Sequence, residues 1–192
     1  MFEFPVKSAG EAVLRKIGRN IVNFQKLEHA LRKLIALSNV SGSLKELPSS
    51  SRRQAKSLRK KALGEVVERF DSAFYGDSAA PESNVAPSEA ELSFSIKLEG
   101  GAGSEAQRRE LVALVVERNR LVHHDLFEFD FSSESESRKL AARLDVQNDR
   151  ILAQLAFVRS VRDNHASAVA ELAAFVESNE FLGLLGPGDG DA

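Results

Sequence analysis

The chain has 192 residues, enough for one domain with a sizeable core, and its apolar and charged fractions of 43% and 28% are those of an ordinary globular protein. No apolar run approaches the roughly 20 residues of a membrane helix, the first residues MFEFPVKSAG lack a signal-peptide pattern, and the absence of cysteine excludes disulfides and a thiolate nucleophile and suits a cytoplasmic setting. The net charge of −2 conceals an asymmetry: residues 1–75 carry 15 Lys and Arg against 7 Asp and Glu, residues 76–192 carry 11 against 21, a split that fits an anionic ligand or two surfaces that pack on each other or on a second copy.

Ser8 opens the first predicted helix, with Glu11 three residues on in a capping-box pattern. Its apolar seam runs Leu14, Ile17, Ile21, Phe24, Leu31 and Ile35, and Glu28 falls inside it, where a carboxylate needs a cationic partner or a shifted pKa. A loop signal follows near 38–42. Ser51, with Gln54, starts a second helix whose seam reads Ala55, Leu58, Ala62, Leu63, Val66, Val67, Phe70 and Phe74. Arg52, Lys56, Arg59 and Lys60 share its opposite face, either as a phosphate-contacting stripe or as an ordinary solvated one.

Residues 76–103 break the pattern with Gly, Pro and Ser. Within them Leu92, Phe94, Ile96 and Leu98 alternate with polar residues, the period of a short strand or extended segment near 91–98. A lone strand wants a partner, which a second copy can supply. The GGAG stretch at 100–103 reads as a flexible hinge, since it lacks the lysine and context of a nucleotide-binding loop.

Ser104, with Gln107, starts the helix that ends in ERNRLVHHDL at 117–126. Phe127, Phe129 and Phe131 then alternate with acids in an extended link, and the SSESES run leads into a last helix beginning near Ser137. That helix has a seam at Leu140, Leu144, Ile151, Leu155, Val158, Val169, Leu172 and Val176, with a bend or break expected at Asp163 and Asn164. The expectation is one all-α domain over 1–192, a bundle of four to five helices with its core at about 8–178 and a Gly-rich tail at 179–192.

The chemistry concentrates in Arg118, Asn119 and His123, in the order Arg-Asn-x-x-x-His. At about 100° per residue, Asn119 and His123 share one helix face, and Arg118 falls on the apolar stripe with Leu111, Leu114, Val115 and Val122. An arginine there is costly unless paired, and Glu28 on the first helix is the obvious structural partner. His123 has a bland alternative as a cation at a helix C-terminus. His29 and His165 stand alone on long helices, His123 and His124 are adjacent, and no spacing marks a metal site or calls for a cofactor. No serine sits in a nucleophile elbow.

A helical bundle with Arg-Asn-x-x-x-His late in its third helix resembles the HEPN superfamily, whose hallmark is Arg, four to six residues, then His. The stretches GRNIVNFQKLEHALRKL at 18–34, LGEVVERF at 63–70 and VERNRLVHHDL at 116–126 are similar to the amino-terminal region of bacterial proteins that carry a downstream winged-helix RNA-binding module of the LOTUS type. The resemblance does not extend to that winged-helix module, so RNA targeting by it is not carried over. The resemblance implies a metal-independent endoribonuclease, a homodimer with motifs from two chains in one cleft, and a toxin or phage-defence role with an antitoxin or regulatory partner. It also implies an alternative, a HEPN-like module that binds RNA, a nucleotide or a protein without turnover, or serves as a helical dimerisation scaffold. In the catalytic version a histidine, which titrates near neutral pH, moves the proton of the RNA 2′-hydroxyl or of the leaving 5′-oxygen. Arg118 holds the phosphoryl oxygens, Asn119 orients the imidazole or the phosphate, and His124 and Glu28 support the site.

Overall fold

Helical periodicity governs nearly every described segment of the protein, a computed structural model that describes residues 8–42, 47–76, 92–98, 102–126, 129–176 and 178. The chain is an all-α bundle with one small strand pair. In order come α1 (Ser8–Ser38), β1 (Asn39–Gly42), α2 (Leu47–Leu58), α3 (Leu63–Tyr75), β2 (Leu92–Ser95), α4 (Ala102–Arg120), a π-helical turn (Leu121–Asp125) and α5 (Glu134–Val176). Among the described residues, no helix is long and apolar enough to cross a membrane.

Helices α1 and α5 lie side by side in the same direction. Val13 and Ile17 meet Leu140 and Leu144 at one end, and Phe24, Leu27, Leu31 and Ile35 join Ile151, Leu155 and Val158 further along. The buried face of α1 is one position out of phase with the predicted seam at its start: Val13 is fully buried whereas Leu14 is 44% exposed. The seam is also less apolar than expected. Asn20 and Asn23 are buried in it, Asn20 donating to the Leu144 carbonyl (2.8 Å) and to Gln147 Oε1 (3.0 Å), Asn23 to Asn148 Oδ1 (2.9 Å). Buried amides of this kind stay in a core only when each is hydrogen-bonded, and they fix the register of the two helices.

Glu28 finds its cation within α1, at Arg32 one turn on, rather than at Arg118 on α4. Arg32 also donates to the Lys61 carbonyl, and this explains a second departure. The predicted second helix is two helices, because the chain turns at residues 59–62. Leu58 and Leu63 are both buried on either side of the turn, Arg32 satisfies a carbonyl within it, and the Glu65 carboxylate accepts from the Ala62 N–H (3.1 Å) to start α3. Ala62, predicted for the seam, is exposed.

The predicted strand is present as β2, and its partner is β1 of the same chain, not a second copy. The two pair antiparallel, with Asn39 opposite Ser95 and Gly42 opposite Leu92. The segment then continues along the helices: the Ile96 N–H donates to the Ser38 carbonyl (2.8 Å) and the Leu98 N–H to the Phe74 carbonyl (2.9 Å). Ala102 and Gly103 belong to the first turn of α4, so the helix invades half of the expected hinge; Gly100, Gly101, Phe127 and the 179–192 tail lie outside the described residues.

Helix α5 begins at Glu134, three residues before the predicted start, where the Ser133 hydroxyl accepts from the Glu136 N–H (3.4 Å). It runs 43 residues without interruption through Asp163 and Asn164. Neither residue breaks a helix whose preceding turns are packed. Among the described side chains its last buried one is Val161; Val169, expected in the seam, is 46% exposed, and the Leu172 and Val176 side chains lie outside the described set.

Asp145 on α5 clamps two cations of α1. Its hydrogen bond from Lys16, then that from Arg19 (3.1 Å), hold its carboxyl below the ordinary value against the opposing effect of burial. A depressed carboxylate contributes stability above its unfolded pKa, about 3.9, and loses it as pH falls through the lower folded value. The melting temperature should therefore fall more steeply below about pH 4 in the native protein than in Asp145→Asn. Parallel acid limbs for the two proteins would rule this out.

Candidate functional site

Helix α4 runs antiparallel to α5 and is tied to it along one face. Leu111, Leu114 and Leu121 are buried, while Glu110 and Glu117 grip Arg150 of α5 (2.6 and 2.5 Å). Gln147 donates to the second oxygen of Glu117 (3.0 Å), so the buried amide ladder of α1 and α5 reaches α4. The Glu110 hydrogen bond, reinforced by Glu117, raises the Arg150 guanidinium above its ordinary pKa despite partial burial.

Arg118, expected on the apolar stripe, is half-buried beside it. Four arginines are half-buried among the described residues: Arg19, Arg32, Arg118 and Arg150. Three of them have carboxylate partners, Asp145, Glu28 and the Glu110–Glu117 pair. Arg118 has no ion pair among the described residues, and its hydrogen bond runs to the adjacent Asn119 Oδ1 (3.0 Å). Its remaining N–H groups are left for solvent or a ligand.

His123 and His124 follow in the π turn, both exposed. Hydrogen bonding from i to i+5 makes this turn wider than an α turn and draws residues five apart toward a common face, where an α-helix sets them roughly 140° apart. Arg118 stands in the α-helix three residues before this turn and His123 lies in its middle, so the turn shifts the imidazole from its α-helical position by only part of that rotation. The spacing alone placed Asn119 with His123 but left Arg118 off to one side. A π turn leaves no periodic trace in a sequence, and such turns occur frequently at functional sites.

On the open face of α4, Val112 and Val116 are 56% and 62% exposed, at spacings that lead on to Asn119 and His123. Val112 also borders a groove of about 590 Å³ between α3 and α4 that Phe70, Asp71 and Arg108 line. His123 lines neither this groove nor the two on the α5 side.

The predicted basic stripe does not lie on a single helix. Arg52 and Lys56 are on α2, whereas Arg59 and Lys60 are in the turn after it; all four are exposed. The α2–α3 break that removes them from a common helix face is the one capped by Arg32 and Glu65. Three residues near the motif carried no signal in the sequence: Asp125 closes the π turn and pairs with Arg120 (3.2 Å) and with Arg143 of α5. An ion pair across an irregular link gives no spacing signal. Among the described residues, no three His, Asp or Glu side chains gather as a metal-ligand set. No protein-family model, curated protein or solved structure matches the chain.

Proposed function

We propose that the chain is a metal-independent endoribonuclease of the HEPN type, acting as a homodimer on RNA. The observation that carries this reading is Arg118, a half-buried residue without an ion pair among the described residues, five positions before the exposed His123 of the π turn. A cation kept in that state lowers the stability of the bundle unless an anion compensates it, and a phosphodiester is an anion that a guanidinium fork matches bidentately.

In this reading Arg118 holds the non-bridging oxygens as charge grows on the phosphorane. His123 takes the 2′-hydroxyl proton or protonates the leaving 5′-oxygen, yielding a 2′,3′-cyclic phosphate and a 5′-hydroxyl. Asn119, hydrogen-bonded to Arg118, fixes the fork, and His124 stands beside His123 to serve the second proton transfer across a dimer. The exposed Val112 and Val116 supply the apolar strip on which a second copy packs, bringing two motifs together. A toxin or phage-defence role restrained by an antitoxin or other regulatory protein fits such an activity.

The exposure of both histidines, outside the three grooves described above, favours a second reading: an RNA- or nucleotide-binding module, or a protein-interaction and dimerisation module, without turnover. Arg118→Leu separates these. The leucine continues the line from Leu114 to Leu121, so stability should hold or rise, by about 0.5–2 kcal/mol, while cleavage of labelled RNA in EDTA disappears. A lower melting temperature with a broken dimer identifies Arg118 as a structural partner and removes the nuclease reading. No cleavage by the wild-type protein, with RNA still bound, leaves the binding module.

A further inference from the structure

The π turn has a second side, away from the exposed histidines and against α5. Asp125, whose side chain is only 15% exposed, accepts from Arg120 Nε and from Arg143 Nη2. One carboxylate thus holds two guanidiniums, and one positive charge is left over. Both arginine side chains stay open to solvent, 66% and 51% exposed, and each keeps most of its five donors.

Two grooves meet at this triad and share Arg120, Asp125 and Arg143. One, of about 470 Å³, extends along the start of α5 to Lys139 and to Phe129. The other, of about 380 Å³, extends the opposite way toward Gln147 and Arg150. The carboxylates on these walls are Glu136, Asp125 and Glu117, and Glu117 is already engaged by Arg150 and Gln147. Lys139 is exposed and has no ion pair among the described residues. Phe129, edge-on to Phe131 with ring centroids 4.8 Å apart, is half-buried and presents part of its ring to the first groove.

We propose that this trough binds the backbone of single-stranded RNA. Arg120 and Arg143, pre-oriented by Asp125, take one phosphate, Lys139 takes a neighbouring one, and a base stacks on Phe129. Cations along a groove with an aromatic face at one end are the combination that holds single strands with little sequence preference. Guanidiniums already fixed by a carboxylate lose little freedom on meeting a phosphate. The proposal rests on the reading of Arg118 and His123 as an RNA-directed site, because the same five-residue turn carries His123 and ends in Asp125. It assigns the substrate strand to α5 rather than to the basic residues of α2.

The test is fluorescence anisotropy with a labelled 2′-O-methyl oligoribonucleotide, which has no 2′-hydroxyl to attack, titrated over a range of salt. Lys139→Glu and Arg143→Gln are compared with the paired change Arg52→Gln and Lys56→Gln. Lys139 is exposed and has no ion pair among the described residues, so its reversal leaves the fold intact, and circular dichroism checks both. The trough predicts weaker binding for the α5 variants, with the slope of log affinity against log salt reduced by about 0.7 per lost phosphate contact. The α2 variant should bind as the wild type does. Unchanged binding by both α5 variants overturns the trough, whether or not the α2 change weakens it, and leaves the nuclease reading standing. Absence of binding by the wild-type protein also overturns it. Weaker binding by the α5 variants, together with intact unmodified RNA after incubation with wild type, supports the trough and sinks the nuclease reading.

Discussion

His123→Ala should lose RNA cleavage by about 10²–10⁴-fold while melting at the same temperature as the wild type. The imidazole is exposed on the π turn and has no hydrogen bond or ion pair among the described residues, so its removal falls in the range of surface substitutions, about ±0.5 kcal/mol. The measurement is release of 2′,3′-cyclic phosphate ends from single-stranded RNA and tRNA in EDTA, with the melting curve run alongside. Equal cleavage by both proteins would trace the activity to a contaminant and remove His123 from the site. His123→Ala also differs in kind from Arg118→Leu, since only the latter alters the buried stripe.

The largest structural effect is expected at Phe70. Its ring is 1% exposed, lies 4.7 Å from Phe74 and meets Tyr75 edge-on, and it forms the floor of the groove between α3 and α4. Truncation to alanine removes the buried ring and leaves space that three packed helices cannot fully close, at about 3–5 kcal/mol. For a domain of this size each kcal/mol moves the melting temperature by roughly 2–4 °C, so a drop of roughly 6–20 °C is expected by calorimetry. A drop within the error of the measurement would mean that α3 is not part of the main core.

The contrast between those two positions shows what was legible beforehand. Phe70 was readable because a buried aromatic at helical spacing announces itself, and so were the helix ends at Ser38 and Tyr75, where loop-forming residues follow. The strand at Leu92–Ser95 announced itself by its period of two, but its partner β1 did not, because four residues, Asn-Val-Ser-Gly, carry no period. The break between α2 and α3 was hidden for a different reason. Residues 59–62 contain neither glycine nor proline, and the turn is held from a distance by Arg32. Asn20 and Gln147 fall on the apolar faces of their helices, but an amide there names no partner, and only the other helix reveals the pairs they and Asn23 and Asn148 form. At the site, residue types and their order were legible, whereas the ionic isolation of Arg118 depends on where every nearby carboxylate has gone.

The π turn carries a further meaning in Leu121 and Leu126. They are five apart, yet both pack on the cluster formed by Val13, Ile17, Leu140 and Leu144. An unbroken α-helix would point one of them away from that cluster. The turn therefore behaves like a one-residue insertion that the bundle has absorbed, keeping its apolar contacts by giving up regular hydrogen bonding over five residues. Deleting such an insertion would restore the more regular helix and change the direction in which the two histidines leave it. A fold selected for stability alone has no reason to retain it, and local irregularity of this kind gathers where geometry serves something other than folding.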